Sequence, residues 1–135
     1  FSLSRGLGDV YKRQNLYIEN EEHCSPMMQS KIVEAWAQSE SYALSIYHTA
    51  SKILDGGSIG SESSLGKIFW SELDHMMHQT ALKILGASAE LSNSSEHDAA
   101  QWIKGFMFSY GGPIYAGTNE IQKNIIAERL LGLPK

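Results

Sequence analysis

From Met28 to Leu54, apolar residues return at three- and four-residue steps: Met28, Ile32, Ala35, Trp36, Tyr42, Ala43, Ile46, Tyr47, Ala50, Ile53 and Leu54. A strand needs a period of two; only a helix gathers positions spaced like these into one stripe. Ser25-Pro26 supplies an N-cap followed by proline at the first helical position, where its missing N–H is not needed. Gly56-Gly57 ends the run. The chain is thereby committed to a long helix over about 26–55, with a face that must be buried against other elements.

The same periodicity continues. Ser61-Glu62-Ser63-Ser64 opens a second helix, over about 62–91, carrying Leu65, Ile68, Phe69, Leu73, Met76, Thr80, Leu82 and Ile84 through to Leu91. The polar loop Ser92-Asn93-Ser94-Ser95 holds the N-cap of a third, over about 95–110, lined by Trp102, Ile103, Phe106, Met107 and Tyr110. Gly111-Gly112-Pro113 breaks it. After a Gly-containing loop, Thr118 is a good N-cap and Glu120 sits in the first turn, where the macrodipole favours a carboxylate. The fourth helix, over about 118–132, carries Ile121, Ile125 and Leu130 to the stop signal Gly132 and Pro134. No β-branched alternation marks a strand. The expected fold is all-α, a four-helix up-down bundle. The first two helices carry more apolar surface than such a bundle can cover, so another domain or subunit is expected against them.

The chain has 135 residues, 42% of them hydrophobic, which suits one compact domain. A net charge of −4 with no basic cluster argues against nucleic-acid binding. No apolar run reaches membrane-spanning length. The single cysteine, Cys24, excludes an intramolecular disulfide and a four-cysteine metal site, and it suits the cytoplasm. Residues 1–14 look foreign to the fold: they carry Gly6 and Gly8, show no helical periodicity, and are locally rich in Lys and Arg. Asp9-Val10-Tyr11-Lys12-Arg13-Gln14 also resembles the translation of a transposon-end adapter used in sequencing libraries. A native loop or tail is the alternative. Either way the chain reads as a fragment, with residues 1–14 outside the bundle and the bundle over 15–135.

Tyr115-Ala116-Gly117-Thr118-Asn119-Glu120-Ile121-Gln122, continuing through Ile126-Ala127-Glu128-Arg129-Leu130-Leu131-Gly132-Leu133-Pro134, resembles the C-terminal signature of bacterial acyl-CoA dehydrogenases. Ser64-Leu65-Gly66-Lys67 and the later Leu85-Gly86 are similar to the start and end of that family's preceding long helix. The resemblance covers roughly residues 25–135. It implies the C-terminal helical bundle of a three-domain flavoprotein that oligomerises through this bundle. The implied reaction is FAD-dependent oxidation of acyl-CoA to 2,3-enoyl-CoA: a carboxylate removes the α-proton while the β-hydrogen leaves as hydride to the flavin. An electron-transfer partner then takes the electrons from the reduced flavin. By the same resemblance, Gly117, Thr118, Asn119 and Glu120 match the stretch that approaches FAD, and Tyr115 and Ala116 fall at the substrate pocket. Backbone N–H groups at a helix start and a threonine hydroxyl are chemically suited to a polar cofactor.

One departure matters most. Many family members place the base, a glutamate, immediately before this Gly-Thr; here the position is Ala116, whose methyl group cannot accept a proton. No catalytic residue is therefore assigned in this chain. The base can come from an upstream helix, from a partner chain in a heteromer, or be absent from a subunit that has lost catalysis; the first arrangement keeps a small residue in this loop. Glu120, beyond the N-cap, and Glu128, two turns on, are poor substitutes. Gly86 is followed by Ala87 rather than the second glycine of the turn that contacts a neighbouring subunit's flavin in relatives. The reading is a fragment of an acyl-CoA dehydrogenase, homo-oligomeric and inactive alone. The alternative is a non-catalytic partner subunit of a heteromeric enzyme, and an upstream carboxylate would separate the two. Glu72-x-x-His75, with His78, resembles half of a di-iron site, but such sites need two of these motifs plus two further glutamates. No metal is expected. His23, His48 and His97 are isolated, and Trp36, Trp70 and Trp102 read as core or interface aromatics.

Overall fold

The computed structural model describes residues 2–90 and 97–134, with side chains from residue 11 onward except at 23 and 97–99. Its helices are α1 (Ser2–Glu19), α2 (Pro26–Leu54), α3 (Glu62–Leu85), α4 (His97–Ser109) and α5 (Asn119–Ile125), and no strand occurs among the described residues. The all-α bundle read from the periodicity is the fold observed. Helix α2 starts as its sequence dictates: the Ser25 hydroxyl oxygen accepts from the Met28 N–H, and Pro26 opens the first turn.

Helix α3 is shorter than its apolar pattern suggests. It ends at Leu85 because Gly86 turns left-handed, at φ 55°, and a 3-10 turn covers Gly86–Glu90. The expected continuation to Leu91 and the cap loop Ser92–Ser95 lie outside the described residues from 91 onward. Helix α5 gives way to a single π-turn over Ile126–Leu130, where the Leu131 N–H reaches the Ile126 carbonyl at 3.0 Å.

Residues 2–14, expected to stand apart from the bundle, are helical in α1 and continuous with a segment that packs on it. Residues 13, 16 and 17 of α1 fall on one face at i, i+3 and i+4, and Arg13 and Leu16 are buried while Tyr17 packs beside them. The Asn20 amide donates to the Leu16 carbonyl at 2.8 Å and closes the helix end. Isolated helices containing two glycines are weak, so α1 is held by this packing and not by propensity.

Helix α3 is the axis of the molecule, touching α1, α2, α4 and α5. One core cluster joins Leu16 of α1, Ile32 of α2, Ala81 and Ile84 of α3 and Trp102 of α4. A second joins Ala35 of α2 to Leu73 and Met77 of α3. The wholly buried Ala35 and Ala81 present only methyl groups, so neighbouring backbones can approach closely. Along α3 and α4 an aromatic ladder forms: His78 lies edge-on to Trp102 at 5.5 Å, and His75 meets Phe106 at 5.4 Å and Tyr110 at 4.5 Å. Pairs of this geometry each contribute roughly 0.5–1.5 kcal/mol beyond burial. At Gly105 a Cβ would run into the His78 imidazole, so α4 can sit against α3 there only with glycine.

Helix α2 outruns its neighbours. Ile32, Ala35, Ser39 and Ala43 are buried, but residues 50–60 are all exposed. On its outer side Val33, Trp36, Leu44, Tyr47 and Leu54 form an exposed apolar stripe. Trp102 is therefore core, Trp70 half-buried, and Trp36 a surface aromatic.

Candidate functional site

The site read from the sequence is the segment between α4 and α5. Two glycines after α4 allow a tight succession of turns: the Gly111 N–H bonds Phe108 O, Gly112 N–H bonds Ser109 O, and both Ile114 and Tyr115 N–H bond Gly111 O, all at 2.9–3.0 Å. The chain then reverses through two left-handed residues, Ala116 at φ 55° and Gly117 at φ 88°. The second is glycine, which reaches this left-handed φ without strain. The first is alanine, and left-handed alanine stores about 1–2 kcal/mol of strain. Two bonds hold it there: Gln122 Nε2 donates to the Ala116 carbonyl at 3.0 Å, and the Asn119 N–H closes the loop onto Pro113 O at 2.9 Å.

The six residues singled out from the sequence divide by direction. Tyr115, Ala116 and Gly117 are exposed. The Tyr115 ring rests against Trp70 at 6.2 Å and Phe108 at 6.3 Å and remains 41% exposed. Thr118 is the N-cap of α5, its oxygen accepting from the Ile121 N–H at 3.4 Å. Glu120 is held below the ordinary carboxylate range by its own backbone N–H and the Thr118 hydroxyl, with help from Lys123 and Lys67. Its carboxylate is thus ionised and directed at the helix start.

Asn119 points inward. It is 5% exposed, and its Oδ1 accepts from Lys67 Nζ at 2.7 Å while its Nδ2 donates to Ser71 Oγ at 3.2 Å. The sequence reading missed Lys67, Ser71 and Gln122 as parts of this site; Lys67 lies 52 residues from Asn119, and no local pattern links them. What the loop exposes at Ala116 and Gly117 is mainly backbone. Backbone N–H groups on an exposed reversal can receive carbonyl or phosphate oxygens.

The residues of the partial di-iron motif have other partners. Glu72 is exposed, His75 Nδ1 lies 2.9 Å from Ser109 Oγ, and His78 Nδ1 lies 2.9 Å from the Asp74 carbonyl. Among the described residues, no three His, Cys, Asp or Glu side chains converge on one point.

Comparison with known proteins places this geometry. A family model described as acyl-CoA dehydrogenase, C-terminal domain, matches residues 23–131. Acyl-CoA dehydrogenase IpdE1 of Mycolicibacterium smegmatis is 31% identical over 113 residues, which are 82% of this chain and 26% of that protein. Its namesake from Mycobacterium tuberculosis is 29% identical over 113 residues, 82% of this chain and 28% of that protein. The chain thus spans about a quarter of the length of these relatives. The solved structure titled Tcur3481-Tcur3483 steroid ACAD superposes with a TM-score of 0.82 at 18% identity, over 98% of this chain and 35% of that one. A variant of it gives 0.81 at 17% identity, over 99% and 37%. At that identity the likeness is one of fold.

Proposed function

The chain belongs to the acyl-CoA dehydrogenase family, and from that membership we propose that it is the C-terminal bundle of an FAD-dependent enzyme converting acyl-CoA to 2,3-enoyl-CoA. The observation that carries this reading is the loop tip at Tyr115–Gly117, exposed and reversed through left-handed Ala116 and Gly117, in the stretch that matches the family's signature. FAD, when bound, supplies the acceptor for the β-hydrogen. The oxygen-rich edges of such a cofactor suit the exposed backbone of this loop and the helix start behind it, so the residues present fit the group. Of the four positions matched to the cofactor stretch, Gly117 and Thr118 offer backbone donors, while Asn119 and Glu120 are engaged in holding the loop. Tyr115 and Ala116 are exposed at the same tip and would line the acyl thioester's side. Tyr115 contributes an apolar wall and helps exclude water.

Ala116 takes no proton, and Glu120 is tied into the helix cap, so the loop tip holds no proton acceptor. The α-proton then goes to a carboxylate on an upstream helix. A second reading is favoured by the same alanine: a non-catalytic partner subunit whose base and turnover belong to another chain. Under either, the exposed stripe on α2 is covered by another subunit, as an apolar surface of this extent requires. The electrons leave the reduced flavin to a separate electron-transfer partner. A cytoplasmic setting belongs to the same reading, and the single free thiol is compatible with it. Among the described residues no helix is long and apolar enough to cross a membrane.

The test is to express the full-length protein that carries this bundle, alone, and to mix it with acyl-CoA. Bound flavin that bleaches supports the enzyme reading. Bound flavin that bleaches only after a second chain is supplied supports the partner reading. Failure to retain flavin, alone or with a second chain, would overturn both.

A further inference from the structure

We propose that Lys67 is a positioning residue for the Tyr115–Gly117 loop, acting through Asn119; its consequence for turnover rests on the flavin reading above. Asn119 holds the loop in two ways. Its backbone N–H closes the loop base onto Pro113 O at 2.9 Å, and its side chain fixes that base to α3. The α3 contacts come from positions 67 and 71, one helical turn apart and on one face. Lys67 Nζ donates to Asn119 Oδ1 at 2.7 Å, while Ser71 Oγ lies 3.3 Å from Oδ1 and 3.2 Å from Nδ2. Ser71 is 0% exposed and Asn119 5% exposed, so water competes little for these bonds. A hydrogen bond with a charged donor is the strongest member of such a set.

The loop needs this support. Ala116 stays left-handed only while its surroundings over-determine it, and the short α5 alone is too small to do so. Without the Lys67 bond, the Asn119 carbonyl oxygen keeps only its weak Ser71 contact in a buried place. Asn119 then turns toward solvent, the Pro113 bond opens, and the reversal at Ala116 and Gly117 loses its fixed position. The ammonium of Lys67 also acts on the nearby Glu120 carboxylate, so one cation steadies both the loop base and the cap residue behind it.

Two measurements test this. In the 135-residue chain itself, hydrogen exchange is compared between wild type, Lys67→Met and Lys67→Arg. Lys67→Met should quicken exchange of the Asn119 amide by roughly tenfold or more, with α2 and α3 amides unchanged, and Lys67→Arg should restore part of the protection. Unchanged Asn119 exchange in Lys67→Met would overturn the proposal. Should Lys67→Met fold poorly, Asn119→Ala gives the same reading from the other side of the bond. In the full-length flavoprotein, Lys67→Met should lower kcat by ~10–100-fold with little change in KM, since small misplacements in a reacting site have effects of that order. Full turnover in Lys67→Met despite a loosened loop would refute the positioning role, whereas a wild-type protein that never bleaches with acyl-CoA would refute the flavin reading and leave the exchange result standing.

Discussion

Arg13 offers a perturbation whose sign runs against intuition: replacing a charged residue should make this protein more stable. The guanidinium is 0% exposed, and none of its three nitrogens has a hydrogen-bond partner among the described residues. Burial alone pulls its pKa well below the ordinary guanidinium value, to about 10. At about 1.4 kcal/mol per pH unit, that fall corresponds to roughly 3 kcal/mol of penalty on the charged form. Arg13→Met keeps the length of the apolar stem and removes the unpaired charge, so it should gain about 1–3 kcal/mol. For a domain of this size, each kcal/mol moves Tm by roughly 3–5 °C. The pH dependence has a definite sign. Because the folded pKa lies below the unfolded one, the penalty is fully present below about 10 and is relieved as pH rises through and above about 10. The advantage of Arg13→Met should therefore be constant around neutral pH and shrink above about 10. Urea unfolding followed by circular dichroism reads this directly. A variant of native helicity that is equally or less stable than wild type would refute the reasoning.

Four further outcomes follow from the geometry. Ala116→Gly relieves the left-handed strain and should stabilise the chain by about 1 kcal/mol, whereas a glycine at an ordinary φ would destabilise it, so urea midpoints decide. Gly105→Ala drives a methyl group into the His78 imidazole and should destabilise by roughly 1–3 kcal/mol, read from thermal melts. The isolated chain should self-associate with rising concentration through the α2 stripe, and Leu44→Glu with Tyr47→Glu should reduce this; a wild-type monomer at every concentration in sedimentation would contradict it. In a full-length enzyme stripped of its upstream base, Ala116→Glu should restore part of the ~10²–10⁴-fold that a placed general base contributes, followed by flavin bleaching.

The long helices were legible because their information is local. Ser25-Pro26 starts α2 and the Gly56-Gly57 pair follows its end at Leu54. Where one glycine had to outweigh an apolar pattern, the reading overran: Ala87 and Ala89 continue the stripe, but left-handed Gly86 ends α3. Helix α1 was missed because Gly6 and Gly8 mask it and its support is tertiary, a groove between α2 and α3 that receives Leu16 and Tyr17. At the site, the capping role of Thr118 could be read from its neighbours in sequence. The inward turn of Asn119 could not, because its partners Lys67 and Ser71 lie on another helix about fifty residues away.

We propose that Tyr115–Gly117 faces the flavin and the acyl thioester. A structure of the full-length protein with FAD and an unreactive acyl-CoA tests it most directly. The account places the backbone of Ala116 and Gly117 within about 4 Å of the flavin or the acyl chain, the distance of van der Waals contact. A loop tip facing solvent or another subunit, with the cofactor elsewhere, would contradict it.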